Sequence, residues 1–247
     1  MSAPAASPSR TGVVLAAGFG SRLAGTSRET DLKPLTPVAG TPLIVRTLGS
    51  LHRAGCDRVV IVLGHASEET REGIREAYSG PVQLTFVVNS RYDLSNGVSV
   101  LAASPHLSGP FVLTMADHVL GDEVMDLARD HTPPARGATL LVDHKLAQIF
   151  DMDDATKVQT QNGRVTAIGK QLETFDAVDT GVFVCTDGLL GALAEVLAET
   201  GDASLSDGVR RLAEAGRMLA LDVGDGFWQD VDTPEMLAHA EAVLGAK

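Results

Sequence analysis

The chain has 247 residues, which is enough to bury the core of one large α/β domain. Its formal net charge of −12 leaves no broad basic surface, and this excludes nucleic acids and anionic membranes as partners. No stretch of about 18 or more apolar residues is free of charge, so no membrane-spanning helix is predicted. Two distant cysteines, Cys56 and Cys185, disfavour a disulfide framework, and we expect a cytoplasmic protein.

The N-terminus differs in composition from the rest of the sequence. Residues 1–10, MSAPAASPSR, lack the apolar segment of a secretory signal and are predicted to form a disordered tail. From 11 to 247 the sequence contains no repeat, no further low-complexity segment and no linker. It therefore predicts a single folded domain over 11–247.

A short apolar segment leads directly into a glycine-rich loop. Residues 13–17 have the length and β-branched content of a buried strand, and Gly18 and Gly20 follow. Glycine lets backbone N–H groups approach a phosphate chain closely, and Arg22 and Lys33 would add positive charge. The segment predicts a site for a nucleoside triphosphate. The alternative is a glycine-rich turn with two solvated cations.

The spacing of this loop distinguishes it from two familiar phosphate-binding loops. The dinucleotide fingerprint G-x-G-x-x-G would need a third glycine where Leu23 stands, and the Walker spacing and lysine do not fit either. The order L-A-A-G-x-G-[ST]-R followed by K-P-L instead resembles the signature of nucleotidyltransferases that activate sugar phosphates and related phosphates.

Apolar strands alternate with helices after the loop. Thr41-Pro42 has the pattern of a helix start, and Gly55 that of a helix end. Strands are predicted at 58–63, 82–88 and 110–116, and a polar helix at 67–78. This alternation predicts an α/β fold with a doubly wound, mostly parallel sheet of the Rossmann-like type.

Asn96 and Gly97 lie in a polar, turn-rich segment after the strand at 82–88. In open α/β sheets, loops at the carboxyl ends of strands form the ligand crevice, so both residues are predicted to contact the base or ribose. From the spacing alone, an Asn-Gly turn formed only for its backbone geometry is an equal alternative.

Aspartates are predicted to bind a metal ion at two places. Asp117 follows the buried strand at 110–116, where a carboxylate would face the triphosphate, and Mg²⁺ prefers oxygen ligands. The next residue, His118, is expected to orient the loop. Asp230 and Asp232 stand two apart, just before a helix that Thr233 would cap, so one could complete the Mg²⁺ site. The alternative is that both only support the cap.

From residue 137 the segments become shorter and strand-like, at 139–142, 157–160, 164–168 and 177–184, with a hairpin signal at Asn162-Gly163. We expect a small β-rich insertion over the sheet edge that covers the second substrate. Lys157 and Lys170 could bind the phosphate of an acceptor there, although either fits a solvated lysine as well.

Two smaller features belong to the same insertion. Gly181 is predicted to let a substrate approach the backbone. Three acids precede the strand at 157–160, namely Asp151, Asp153 and Asp154. They are expected to form an acidic turn, with a metal cluster as the alternative.

Further motifs follow the loop in a fixed order: Asn96-Gly97, Met115-Ala116-Asp117-His118, Gly163-Arg164-Val165 through Ile168-Gly169-Lys170, Val178-Asp179-Thr180-Gly181 and Trp228-x-Asp230-Val231-Asp232-Thr233. Together they resemble the cytidylyltransferase domain of the CTP:inositol-1-phosphate cytidylyltransferases, within the sugar-phosphate nucleotidyltransferase superfamily. The resemblance extends over 11–245.

The resemblance implies a nucleotidyltransferase domain that transfers a cytidylyl group from CTP to inositol 1-phosphate with Mg²⁺ as cofactor. The implied catalytic residues are Arg22, Lys33, Asp117 and Lys170. The implied nucleotide-binding residues are Leu15, Ala16, Ala17, Gly18, Gly20, Arg22, Lys33, Asn96, Gly97 and Asp117. The implied acceptor-binding residues are Lys157, Lys170, Asp179, Thr180 and Gly181, and the implied metal ligands are Asp117, Asp230 and Asp232.

Relatives in this family are often fused to a membrane-embedded CDP-alcohol phosphotransferase, and this sequence ends at Lys247 without one. We therefore expect a separate phosphotransferase downstream or a different acceptor, and a monomer or homodimer. The alternatives are a sugar 1-phosphate with UTP or dTTP, and phosphocholine or a phosphonate with CTP. A non-catalytic nucleotide sensor is the alternative from another class of protein.

Overall fold

The computed structural model describes residues 10–18 and 32–245. Its helices are α1 Leu43–Arg53, α2 Ser67–Ala77, α3 Asn96–Ala103, α4 Asp122–Asp130, α5 Asp187–Thr200, α6 Leu205–Glu214 and α7 Pro234–Gly245. Its strands are β1 Arg10–Ala16, β2 Pro37–Val38, β3 Thr41–Pro42, β4 Cys56–Leu63, β5 Gln83–Val88, β6 Phe111–Met115, β7 His118–Leu120, β8 Ala138–Asp143, β9 Lys157–Gln161, β10 Arg164–Gly169, β11 Ala177–Cys185, β12 Met218–Asp222 and β13 Trp228–Asp230. None of the described helices is both long and apolar enough to cross a membrane.

Nine strands form one sheet in the order β5-β4-β1-β6-β11-β8-β12-β10-β9. The first four run parallel to one another, whereas β11 is antiparallel to both β6 and β8. The predicted Rossmann-like α/β fold is confirmed. The sheet is mixed rather than mostly parallel, because the tight turn at Asn162-Gly163 reverses the chain and makes β9 and β10 antiparallel neighbours.

Helices cover both faces of the sheet, as the prediction of a doubly wound fold requires. Successive side chains of β1 alternate between two hydrophobic clusters, with Val13 and Leu15 in one and Val14 and Ala16 in the other. Helices α3, α5 and α6 contribute to the first cluster, and α1, α2 and α4 to the second. Both faces of β1 are thereby buried.

The C-terminal segment forms a smaller unit against the sheet edge. Strands β7 and β13 pair with each other, and α7 contacts β13 and β2 around the buried Val231. Thr233 Oγ1 accepts a hydrogen bond from the Met236 N–H at 3.3 Å, so Thr233 caps α7 as predicted. Asp230 and Asp232, which precede α7, are thereby brought next to strand β7.

Three local predictions are wrong. Thr41-Pro42 does not begin a helix, because Thr41 pairs with Val38 as a strand and α1 starts at Leu43. The predicted insertion does not lie over the sheet, since β9 and β10 extend the same sheet at its edge. Arg10, assigned to a disordered tail, is the first residue of β1, and residues 1–9 lie outside the described range.

Candidate active site

A cavity of about 670 Å³ opens where β1, β6 and β8 end. These strands run in one direction, so their carboxyl ends meet at the same edge of the sheet. Leu15, Ala17 and Gly18 line the cavity from the end of β1, and Asp117 lines it from the end of β6. Two segments that the sequence assigned to one nucleotide site therefore reach a single cavity.

Lys33 joins two carboxylates from distant parts of the chain. Its Nζ donates to Asp117 Oδ2 at 2.5 Å and also to Asp232 Oδ1. Burial alone would lower the pKa of Lys33, but Asp117 and then Asp232 outweigh burial and raise the pKa above its ordinary value. Lys33 is therefore a fixed positive charge at the edge of the sheet.

His118 binds the other oxygen of Asp117. The His118 Nδ1 lies 2.7 Å from Asp117 Oδ1, and the imidazole stacks on Trp228 with ring centroids 6.3 Å apart. Gly181 leaves room for this ring, since its φ is +74° and a Cβ there would lie 2.4 Å from His118 Nε2. The sequence predicted that Gly181 admits a substrate, but the imidazole occupies the space that a side chain would fill.

The charges of Asp117 and His118 stabilise each other. Burial alone would raise the pKa of Asp117, but the hydrogen bond and charge of His118, followed by Lys33, hold that pKa well below its usual range. Burial alone would lower the pKa of His118, and Asp117 outweighs it and raises the pKa. Asp117 is thus an ionised carboxylate with both oxygens already engaged.

A different set of carboxylates could hold a metal ion. One oxygen each from Asp154, Asp230 and Asp232 lie within 4.8 Å of one another. Burial raises the pKa of Asp230, and the neighbouring acids Asp232 and Asp117 add to the effect, so a cation here would relieve repulsion. Carboxylate oxygens suit hard divalent cations. The sequence grouped Asp117 with Asp230 and Asp232 as metal ligands. In the structure Asp154 is the third member of the group, because both carboxylate oxygens of Asp117 are bound by Lys33 and His118.

The two lysines predicted to bind an acceptor phosphate have different surroundings. Lys170 lines the cavity, and its Nζ donates to Asp154 Oδ1 at 2.5 Å. Lys157 is buried, its Nζ donates to the Asp153 carbonyl at 3.0 Å, and it does not line the cavity. Lys157 is therefore a structural lysine of the turn before β9, and the acceptor prediction is wrong for it.

Some of the other predicted site residues line the cavity, and others are buried in the core. Asp179 lines the cavity, but its neighbour Thr180 is fully buried, and the Thr180 hydroxyl donates to the Leu141 carbonyl at 2.8 Å. Ala16 packs in the core, because alternate residues of β1 point to opposite faces. Thr180 and Ala16 are thus corrections to the predicted site. Gly20 and Arg22 lie outside the described residues.

Asn96 and Gly97 open helix α3 and do not form the Asn-Gly turn that the sequence allowed. Asn96 lines the cavity, and its Oδ1 accepts a hydrogen bond from the Leu205 N–H at 2.8 Å. Gly97 does not line the cavity. A Cβ at Gly97 would lie 2.6 Å from the Ala203 carbonyl oxygen, so glycine is needed for helix packing and not for a ligand.

Sequence reasoning missed a network at the end of β8. Asp143 is only 3% exposed, and its Oδ2 accepts a hydrogen bond from Trp228 Nε1 at 2.8 Å. Its Oδ1 accepts from the Lys145 N–H at 2.7 Å and lies 3.0 Å from Lys145 Nζ. This network fixes the indole that stacks on His118. The available signal was an apolar run ending in aspartate, the same pattern that led to Asp117.

Asp179→Asn is expected to raise the free energy of unfolding at pH 8 by roughly 1 to 3 kcal/mol and to leave it almost unchanged at pH 4. Burial raises the pKa of Asp179 to about 6, so the folded protein resists ionisation of this carboxyl. The wild type therefore loses stability as the pH rises from the unfolded pKa near 4 to about 6, and asparagine does not ionise. Urea denaturation at both pH values measures the difference.

The matched control is Asp57→Asn, which changes an exposed carboxylate on β4. It should change the unfolding free energy by less than about 0.5 kcal/mol. Asparagine at position 179 can still accept the 2.7 Å hydrogen bond from the Gly181 N–H, so the loop geometry is retained. A stability difference that does not vary with pH would show that Asp179 is already ionised below pH 6.

The site brings cationic and anionic groups together in the pattern that phosphate chemistry requires. Lys33 and Lys170 each offer an ammonium group, and three carboxylates beside them could hold a divalent cation. A cavity at the carboxyl ends of the strands is where open α/β sheets bind their ligands, and these charges suit a nucleotidyltransferase. The chain belongs to the MobA-like NTP transferase domain family, whose pattern matches residues 12–215.

Comparison with individual proteins narrows this class. The chain is 35% identical over 241 residues to a bifunctional IPC transferase and DIPP synthase of Rubrobacter xylanophilus, covering 94% of this chain and 51% of that protein. It is 34% identical over 244 residues to a CMP-5'-(3-aminopropyl)phosphonate synthase of Streptomyces rubellomurinus, covering 94% of this chain and 38% of that protein. The chain thus spans about half the length, or less, of these curated relatives.

A solved structure matches over nearly its full length. The inositol-1-phosphate CTP transferase from T. maritima is similar with a TM-score of 0.81 and 25% sequence identity. The similarity covers 94% of this chain and 96% of that one. The two chains therefore share the same fold over most of their length.

Proposed function

We propose that this protein transfers a cytidylyl group from CTP to inositol 1-phosphate, forming CDP-inositol and pyrophosphate. The observation that carries the proposal is a pair of ammonium groups held by carboxylates: Lys170 lines the cavity, and Lys33 is bound by Asp117 and Asp232, which both line it. The nearly complete coverage of the inositol-1-phosphate CTP transferase from T. maritima supports the choice of substrates.

The reaction joins two anions and requires no general base. A phosphate oxygen of the acceptor forms a bond to the α-phosphorus of CTP, and the bond from that phosphorus to the bridging oxygen breaks. The electron pair leaves with pyrophosphate, so atoms and charge balance. Two unit charges 4 Å apart repel by about 4 kcal/mol at an effective dielectric of 20, so catalysis depends on positioned cations.

The lysines supply part of that charge. Lys33, fixed by Asp117 and Asp232, would lie against the α-phosphate of CTP. Lys170 would exchange Asp154 for the acceptor's phosphate. Both ammonium groups stabilise the negative charge that develops in the transition state. Arg22 and the backbone of Gly18 and Gly20 remain the predicted partners of the outer phosphates.

The carboxylate cluster fits Mg²⁺ as cofactor. Asp154, Asp230 and Asp232 present only oxygen ligands, and Mg²⁺ usually takes one or two carboxylates together with substrate phosphates and water. When bound, Mg²⁺ would neutralise the triphosphate and the leaving pyrophosphate. Asp232 also contacts Lys33, which would keep the nucleotide-binding lysine next to the metal site.

A second candidate acceptor is an aminoalkylphosphonate. The 34% identity with the phosphonate synthase of S. rubellomurinus favours it. The lining of the cavity is also rich in acid, including Asp151, Asp154, Asp179 and Asp225, and these carboxylates would attract an ammonium group. Supplying inositol 1-phosphate and 3-aminopropylphosphonate together with CTP and identifying the product distinguishes the two. CDP-inositol as the main product supports the proposal, and the phosphonate adduct would contradict it.

Lys170→Ala is expected to raise the KM for inositol 1-phosphate at least about tenfold while changing the KM for CTP less than about twofold. The reason is that Lys170 lines the cavity and has no contact with the nucleotide end around Gly18 in the described residues. Initial rates of pyrophosphate release, with each substrate varied in turn, provide both constants.

Lys157→Ala serves as the comparison, because Lys157 belongs to the same strand region but does not line the cavity and donates to the Asp153 carbonyl. It should leave both KM values near those of the wild type. Equal increases in the two KM values for Lys170→Ala, or an acceptor effect confined to Lys157→Ala, would refute the assignment of Lys170.

We also propose a cytoplasmic protein whose product passes to a CDP-alcohol phosphotransferase, with the protein acting as a monomer or homodimer. The R. xylanophilus relative supports a second step, because its name joins an IPC transferase to a DIPP synthase within a protein about twice as long. Adding membranes that contain such a phosphotransferase should consume the CDP-inositol that this protein forms.

A further inference from the structure

Phe150 is exposed in a way that the fold does not explain. Among the described residues it is one of two large apolar side chains that remain open to solvent, and both Phe150 and Val88 are 46% exposed. Val88 ends the outermost strand of the sheet, whereas Phe150 lines the cavity.

The aromatic ring of Phe150 is held in place at the cavity. It stacks on His239 of helix α7 with ring centroids 4.7 Å apart and an interplanar angle of 30°. His239 lines the cavity as well. The two rings come from elements far apart in the chain. Their contact joins the segment after β8 to helix α7 and forms one side of the cavity. We call these two rings the aromatic wall.

The aromatic wall lies on the acceptor side of the cavity. The segment that carries Phe150 follows β8, on the opposite side of β6 from the β1 loop. Four residues further along the same segment, Asp154 pairs with Lys170, the lysine that we assign to the acceptor phosphate. The wall therefore adjoins the part of the acceptor beyond its phosphate.

We infer that Phe150, supported by His239, determines acceptor specificity by packing against the carbon ring of a cyclic polyol phosphate. This inference rests on the proposed function. One face of such a ring presents C–H groups, which pack on an aromatic face, while its hydroxyl groups point outward to polar side chains. Asp151 and Asp225 line the cavity, and ionised carboxylates only accept hydrogen bonds, which suits hydroxyl donors.

An acyclic acceptor has no comparable ring face. An aminoalkylphosphonate presents a flexible chain and an ammonium group, which the carboxylates that line the cavity would attract. The two chemistries predict different responses to changes at position 150. A ring acceptor depends on the area of the aromatic wall, and an acyclic cation depends on the carboxylates around it.

The test compares Phe150→Ala with Val88→Ala, its matched control of equal exposure outside the cavity. Phe150→Ala should raise the KM for inositol 1-phosphate about tenfold, which corresponds to about 1.4 kcal/mol, and leave the KM for CTP unchanged. Phe150→Trp should retain wild-type KM values, and Val88→Ala should match the wild type. His239→Ala should resemble Phe150→Ala, and the double variant should be little worse than either.

Turnover by the wild type tests the proposed function, whereas the KM changes in the variants test the role of the aromatic wall. If the wild type forms CDP-inositol but Phe150→Ala behaves like Val88→Ala, the aromatic wall has no role and the proposed function stands. If Phe150→Ala impairs 3-aminopropylphosphonate as strongly as inositol 1-phosphate, recognition of a carbon ring is refuted. If the wild type turns over no cyclic acceptor, the proposed function fails, and this inference fails with it.

Discussion

Asp117→Asn is expected to lower kcat at least about a hundredfold, the scale seen when a preorganised electrostatic group is lost. Asparagine has nearly the same shape as aspartate but carries no charge, so it cannot hold Lys33 and His118 as ionised partners. The low pKa of Asp117, which His118 and Lys33 maintain against burial, shows how strongly the site favours the ionised carboxylate. Steady-state pyrophosphate release at saturating substrates measures kcat.

The matched control for this variant is Asp126→Asn. Asp126 is also an ion-paired carboxylate, bound to Arg53 and Arg129 on the surface of α4, but it lies away from the cavity. It should turn over at the wild-type rate. A near-normal kcat for Asp117→Asn would show that Asp117 has no role in the reaction.

Lys33→Met is expected to lower turnover to below about a hundredth of the wild-type rate and to destabilise the fold by about 1 to 3 kcal/mol. Methionine fills a similar volume but leaves Asp117 and Asp232 without their shared ammonium group. The loss of stability follows because the two partly buried carboxylates lose the partner that satisfies their charge. Urea denaturation and pyrophosphate release measure the two effects.

A double variant separates the two roles of Lys33. Adding Asp117→Asn to Lys33→Met removes one of the two stranded carboxylates, so it should recover part of the lost stability without recovering any activity. If Lys33→Met alone is as stable as the wild type, the ion pair contributes nothing to folding. If it also keeps normal turnover, the assignment of Lys33 to the α-phosphate is wrong.

The sequence predicts most of the fold because its signals are local. The apolar runs at β1, β4 and β6 and the cap at Thr233 each depend on a few neighbouring residues. The alternation of strands with helices then limits the topology to a few arrangements. The helix start was predicted slightly too early, since Thr41 pairs with Val38 in a tight hairpin and α1 begins at Leu43.

The site is harder to predict because its partners meet only in the folded chain. Lys33 was identified from its motif, but its contact with Asp232 spans almost the whole sequence. Asp154 has the local appearance of an acidic turn, and only the position of β9 brings it to Asp230. Phe150 carries no motif, and its stacking on His239 depends on how α7 returns to the cavity. A contact between residues far apart in the chain leaves no local pattern in the sequence.

The most direct test of the proposed chemistry is pyrophosphate release in the presence of Mg²⁺, with the four NTPs and dTTP each combined with a panel of acceptors. The panel contains inositol 1-phosphate, glucose 1-phosphate, phosphocholine and 2-aminoethylphosphonate. We expect release only from CTP with inositol 1-phosphate. Release from another pair would keep the class of reaction but contradict the proposed substrates. CTP binding without release from any pair would contradict the assignment of a transferase to this site.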